Sequence, residues 1–139
     1  MCLIKKGQFF LDKKSCNIDG QKPKYHLVLT DGKEEEDKVL CLVLNSEKHM
    51  DKYKIGCNKS KQKYIISPET HKFSFLKNYT SIILMRVRTY FAREFYEDNL
   101  DVLKDFAEID LMRQIKNCLD ENNLLPNEKE ILKNCYKIK

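Results

Sequence analysis

The longest uninterrupted apolar run in this chain, residues 39–44 (Val-Leu-Cys-Leu-Val-Leu), is six residues long. A run of that length suits a strand buried on both faces and falls far short of the ~18 residues that a membrane-spanning helix needs. The next apolar run, Ile82 to Met85, is shorter still. Whatever core the chain builds is therefore assembled from several short strands. With 139 residues it has about one domain's worth of sequence. The 42% hydrophobic and 34% charged residues match a folded globular protein and not a disordered tail. The opening residues, Met-Cys-Leu-Ile-Lys-Lys-Gly, hold too short an apolar stretch for a secretory signal, and a cytoplasmic location is expected.

Around the run at 39–44, the first ninety residues read as strands separated by polar loops. Residues 8–12, 25–30, 38–45, 53–57, 64–67 and 81–90 carry the strand formers, and Asn58-Lys59-Ser60 marks a lysine-rich hairpin. After Tyr96 the spacing changes. Leu100, Leu103, Phe106 and Ala107 fit one helical face, and Ile109, Met112, Ile115 and Leu119 fit another. Pro126, Asn127 and Glu130 open a further helix ahead of Ile131, Leu132, Cys135 and Tyr136. The expectation is an α+β domain over 1–139: a small β-barrel of five to seven strands within 1–96 and a tail of two or three helices over 97–139.

The six cysteines stand at positions 2, 16, 41, 57, 118 and 135 with no C-x-x-C and no ligand-like pairing, so the reading is reduced thiols acting as core filler, with no metal and no cofactor.

Charge is divided along the chain. Residues 1–93 carry 16 Lys and 3 Arg against 10 acids, a net +9, whereas residues 94–139 are net −4. The span from Lys48 to Lys77 holds eight lysines with only Asp51 and Glu69 as acids. Such a basic body points to an anionic partner, with nucleic acid first, since phosphate contacts supply most of the affinity in that case. Lys22, Lys48, Lys52, Lys54, Lys59, Lys61 and Lys63 are the candidate backbone contacts. Strand alternation sets Ile82, Leu84, Arg86 and Arg88 on one face, the two arginines ~6.6 Å apart and able to grip one backbone. His71, in the loop 67–73, and His26, on a strand, are candidate proton carriers because histidine titrates near neutrality.

Three segments, in order, resemble the PemK/MazF-type toxins of type II toxin–antitoxin pairs. Gly20-Gln-Lys-Pro-Lys-Tyr-His-Leu-Val-Leu-Thr30 is similar to that family's Gly…Arg-Arg-Pro-x-Val-Val-Leu-Ser entrance. Cys41-Leu-Val-Leu-Asn-Ser46 resembles its strand ending in Pro-Ile-Thr-Ser, and Ser81-Ile-Ile-Leu-Met-Arg-Val-Arg-Thr89 its Ser-x-Val-Leu-x-x-Gln-Val-Arg-Ser segment. The resemblance implies an SH3-like barrel, a homodimer, an antitoxin partner, and metal-independent cleavage of single-stranded RNA through a 2′,3′-cyclic phosphate. It aligns Lys24 with the family's loop arginine and Ser46 with its Thr/Ser. This chain departs from the pattern by having Lys24-Tyr25-His26 where the family has Arg-Pro. Lysine stabilises a phosphorane without the bidentate fork of arginine, so His26 or His71 is expected to carry protons while Ser46 positions the substrate. The competing expectation is a non-catalytic RNA- or protein-binding module on the same barrel, such as a mobile-element or phage-encoded inhibitor.

Overall fold

The computed structural model describes residues 2–13, 16–17, 20–21, 23–97 and 99–136. The run 39–44 is the middle of β5 (Lys38–Ser46), the central strand of a seven-stranded antiparallel sheet. The strands are β1 (Gln8–Asp12), β4 (Lys24–Val28), β5, β6 (Gly56–Asn58), β7 (Lys63–Ile66), β8 (Thr80–Phe91) and β9 (Leu100–Phe106), in the spatial order β6-β7-β8-β5-β4-β1-β9. A separate two-stranded ribbon pairs β2 (Cys16–Asn17) with β3 (Gly20–Gln21). Two helices follow the sheet, α1 (Ile109–Cys118) and α2 (Pro126–Cys135). The architecture is thus a small α+β domain, and no helix among the described residues is long and apolar enough to cross a membrane.

β5 is buried on both sides because each face of the sheet carries its own core. One face holds Phe9, Leu27, Leu40, Leu42, Leu44, Ile82 and Leu84 under Met112, Ile115 and Leu132 of the helices. The other gathers Phe10, Val28, Val39 and Cys41 beneath Ala92 and Phe95 of a short 3-10 segment. Alternate residues of β5 serve the two cores, which explains why its sequence does not alternate with polar residues.

Three expectations are corrected. Residues 100–106 form an edge strand instead of the first turn of a helical tail, so the helical part starts at Ile109. The outer edge of β1 needs backbone partners, and it takes this segment in antiparallel register with Asp12 opposite Leu100 and Phe10 opposite Val102. Leu100 and Leu103, which share a helical face by spacing, enter opposite cores of the sheet. Gly7 fixes where the strand ends: it has φ +95°, and a Cβ there would stand 2.6 Å from the Ala107 carbonyl oxygen.

The second correction concerns β8. Its pairing with β5 slips between Leu42–Val87 and Leu44–Ile82, a bulge that reverses the alternation. Ile82 and Leu84 therefore enter the helix-covered core, while Arg88 lies on the opposite face, across from Cys41.

Thirdly, Cys57 and Cys118 are joined in a disulfide, with Cα atoms 5.7 Å apart, instead of acting as reduced filler. Their spacing of 61 residues carries no pairing signal; the fold brings the β6–β7 hairpin against the end of α1. Cys2, Cys41 and Cys135 are free thiols.

α2 begins at Pro126, within the expected start, but its capping pair is Leu125 with Glu128, two residues ahead of Asn127 and Glu130. Pro126 takes the first helical position, and the Glu128 carboxylate accepts a 2.8 Å bond from the Leu125 amide.

Candidate functional site

On the face opposite the helices, strand register lines up a row of polar side chains. Asp12 stands across from Lys24, and Asn45 across from Ser81. The gap between the two pairs is bridged by the Lys24 ammonium, which donates to Asn45 Oδ1 at 2.8 Å. Two residues further along β4, His26 lies between Phe10 of β1 and Val43 of β5. Side chains from β4 and β8 meet here over β5 because β5 contributes only Val39, Cys41 and Val43 to this stretch. Arg88 and Tyr90 stand opposite Cys41 and Val39.

His26 is the centre of the cluster and is fully buried. Its Nδ1 lies 3.0 Å from the Lys24 carbonyl oxygen, which can only accept, so Nδ1 carries the hydrogen and Nε2 presents a lone pair. Arg88 Nη1 donates toward that lone pair at 3.4 Å. The Tyr90 hydroxyl, also 3.4 Å from Nε2, spends its proton on Asp12 Oδ2 at 2.7 Å. Phe10 stacks on the imidazole with ring centroids 4.9 Å apart. Burial, reinforced by the Arg88 charge, pushes the His26 pKa down to about 4, against the Lys24 carbonyl bond that raises it. Burial, and after it the bond to Asp12, pushes the Tyr90 phenol up. At neutral pH the cluster thus holds a neutral imidazole and a protonated phenol beside Asp12 and Arg88.

The same row continues toward the lysine-rich hairpin. Glu47 Oε2 accepts from Ser81 Oγ at 2.5 Å and from Lys63 Nζ at 3.2 Å, and Lys63 also donates to the Tyr53 hydroxyl at 3.0 Å. Burial works against both charges, but the Ser81 and Lys63 bonds hold the Glu47 carboxyl below its ordinary range, and the Tyr53 and Glu47 bonds hold Lys63 above its own. Lys63 is therefore committed to an internal ion pair, and Lys59 donates to the Asn117 carbonyl. Lys48, Lys52, Lys54 and Lys61 are exposed, with Lys61 over the Tyr53 ring. Arg86 is exposed beside the bulge, and Lys22 lies outside the described residues.

No protein-family model matches the chain, and no curated protein matches it.

Of the four residues singled out for catalysis, the structure brings together two. Lys24 and His26 share β4, but Ser46 is exposed on the other side of the sheet, across from Thr80, in a cleft of about 260 Å³ with Tyr25 and Phe75. Its neighbour Asn45 takes the place expected for it, because successive strand residues face opposite ways. His71 belongs to a turn in which its amide donates to the Ser67 carbonyl and its Nδ1 accepts from the Ser67 amide at 3.1 Å. Burial lowers its pKa, and it lines a cleft of about 660 Å³ with Phe73, Phe106 and Leu111. None of the residues lining that cleft belongs to the Lys24–Arg88 cluster. Sequence reasoning passed over Asp12 and Tyr90. The available signals were an acid ending an otherwise apolar strand and a tyrosine two residues beyond Arg88, in phase with it.

Proposed function

We propose that this chain is a PemK/MazF-like endoribonuclease that cleaves single-stranded RNA without a metal, on a small SH3-like barrel, as the toxin of a toxin–antitoxin pair. The observation that carries the reading is the convergence of Lys24, held by Asn45, and Arg88, held by His26, on one face of the sheet. Two cations brought to one face suit a phosphate that gains charge during reaction.

In that chemistry the ribose 2′-oxygen forms a bond to the adjacent phosphorus as the P–O5′ bond breaks. The 2′-hydroxyl loses its proton, O5′ gains one, and the products end in a 2′,3′-cyclic phosphate and a 5′-hydroxyl. Lys24 and Arg88 stabilise the phosphorane, and the Lys24 ammonium, a donor only, protonates O5′. His26 is buried and neutral, and His71 sits in another cleft, so the 2′ proton goes to solvent. Exposed Lys48, Lys52, Lys54, Lys61 and Arg86 hold the RNA backbone. An antitoxin protein and a second copy of the chain are the partners in this reading. The location is cytoplasmic, where the Cys57–Cys118 bond meets a reducing thiol pool.

The burial of His26 favours a second reading, a non-catalytic RNA-binding module using the same cations. Induced expression in a bacterial host separates them. Growth arrest with cleaved mRNA, abolished by Lys24→Ala with Arg88→Ala, supports the nuclease. Unimpaired growth, with RNA retained but intact, supports the module.

A further inference from the structure

We infer that His26, Tyr90 and Asp12 are positioning residues whose role is to fix the Arg88 guanidinium beside the His26 ring, so that the cation meets its anion already oriented. The inference rests on the RNA reading for the identity of the anion, but the geometry that carries it is independent of that reading.

Three groups from three strands converge on one side chain. Asp12 closes β1, His26 lies in β4, and Arg88 and Tyr90 lie in β8. The His26 tautomer is set from behind by the Lys24 carbonyl, which leaves Nε2 able only to accept and turned to Arg88 Nη1. The Tyr90 hydroxyl sits between His26 Nε2 and Asp12 Oδ2, donates to the carboxylate, and is itself hydrogen-bonded by Arg88. Phe10 and Tyr90 pack on the imidazole in stacked and edge-on geometry, so the ring cannot turn away. A free arginine side chain samples many rotamers, and holding one of them before binding reduces the ordering that binding would otherwise require.

The neighbouring part of the same face shows what a purely packing solution looks like. Ile4, Val28, Val39, Ala92 and Phe95 fill it with apolar side chains. Asp12 and His26 are both buried, and burying such groups costs stability that apolar replacements would not. A polar network that holds a half-buried guanidinium fits this departure from the apolar pattern. The histidine thereby changes role: it does not carry a proton for the reaction but sets a neighbour's geometry.

Tyr90→Phe removes one oxygen and keeps the ring, which makes it the first test. RNA cleavage, or RNA affinity if no cleavage occurs, is expected to fall about tenfold in the wild-type background and less than about twofold when Arg88 is already alanine. Equal losses in both backgrounds would overturn the inference, because the tyrosine would then act without Arg88. Asp12→Asn, which keeps an acceptor for Tyr90, is expected to retain more function than Asp12→Ala; equal loss in the two counts against the inference. A readout that needs no activity is the ¹⁵N spectrum of the Arg88 guanidinium in the full-length protein. Hindered rotation should give resolved Nη signals that collapse in Tyr90→Phe. Should wild type neither cut nor bind RNA while those signals behave as expected, the RNA reading fails and the positioning role stands. If the Arg88 signals are averaged in wild type, or are unchanged by Tyr90→Phe, the positioning role fails whatever the RNA result.

Discussion

Replacing Gln62 by alanine should be among the most damaging single changes to this fold, although the residue lies at the end of a lysine-rich surface hairpin. Gln62 is only 6% exposed and has φ +51°, an uncommon backbone conformation for a residue with a Cβ. Its side chain joins three segments. Nε2 donates to the carbonyls of Lys59 at 3.0 Å and Cys118 at 2.9 Å, while Oε1 accepts from the Asp120 amide at 2.8 Å and the Asn123 side chain at 3.1 Å. Truncation removes these bonds and takes from the Cys118 carbonyl and the Asp120 amide a partner in a largely dry junction. At about 1 kcal/mol for each of the four bonds, before any penalty for the groups left behind, the loss should be at least about 4 kcal/mol. Urea unfolding of the oxidised protein, followed by circular dichroism, should show a lower midpoint with an unchanged slope. Gln62→Gly separates two effects, since it loses the same bonds but relieves the left-handed backbone. It should therefore be about 1 kcal/mol more stable than Gln62→Ala. A loss below about 1 kcal/mol for Gln62→Ala, or a glycine variant weaker than the alanine one, would refute this reasoning.

Further expectations follow from the same structure. Burial and Arg88 take the folded-state pKa of His26 down to about 4, from the ordinary histidine value of 6.5, so the unfolded chain takes up the proton first. Its contribution is complete above pH 6.5 and is lost as the pH falls toward 4, a decline of about 3 kcal/mol that His26→Gln should largely remove in urea titrations at the two pH values. Non-reducing digestion should release a linked peptide containing Cys57 and Cys118. Reducing that bond, which closes a 61-residue separation, should cost about 4 kcal/mol if loop-closure entropy dominates, and recovery of only unlinked peptides would refute the pairing. Because Lys61 is exposed while Lys63 is held by Glu47, Lys61→Ala should lower the salt dependence of RNA binding by about one counterion. Lys63→Ala should instead destabilise the hairpin, as read by hydrogen exchange across 56–66. If solvent takes the 2′ proton, the cleavage rate should rise steadily with pH instead of following a histidine bell; a bell centred near pH 6–7 would return a histidine to the mechanism.

Much of the sheet could be read from the chain because its strands are bounded by turn residues and lysine-rich loops: β1 was delimited as found, and β4, β5, β7 and β8 to within two residues. The segment 100–106 was misread because Leu100, Leu103 and Phe106 recur at a spacing compatible with a helix, and only the exposed edge of β1 decides otherwise. The bulge in β8 leaves no mark in composition, yet it determines that Arg88 does not share a face with Ile82 and Leu84. Lys24 and His26 were legible as functional candidates from the loop-to-strand entrance at residues 20–30. Asn45 in place of Ser46 depends on the parity of one strand, and the Asp12–Tyr90 bond joins residues 78 positions apart that no local pattern connects. The disulfide was out of reach for the same reason: its cysteines meet only once α1 is laid against the β6–β7 hairpin.

The most direct measurement is end-group analysis of a single-stranded RNA incubated with the purified protein in a metal chelator. The expected result is fragments carrying 2′,3′-cyclic phosphate and 5′-hydroxyl ends, formed by wild type and lost in Lys24→Ala and in Arg88→Ala. Intact RNA after long incubation with folded wild-type protein, or fragments produced equally well by both variants, would contradict the assignment.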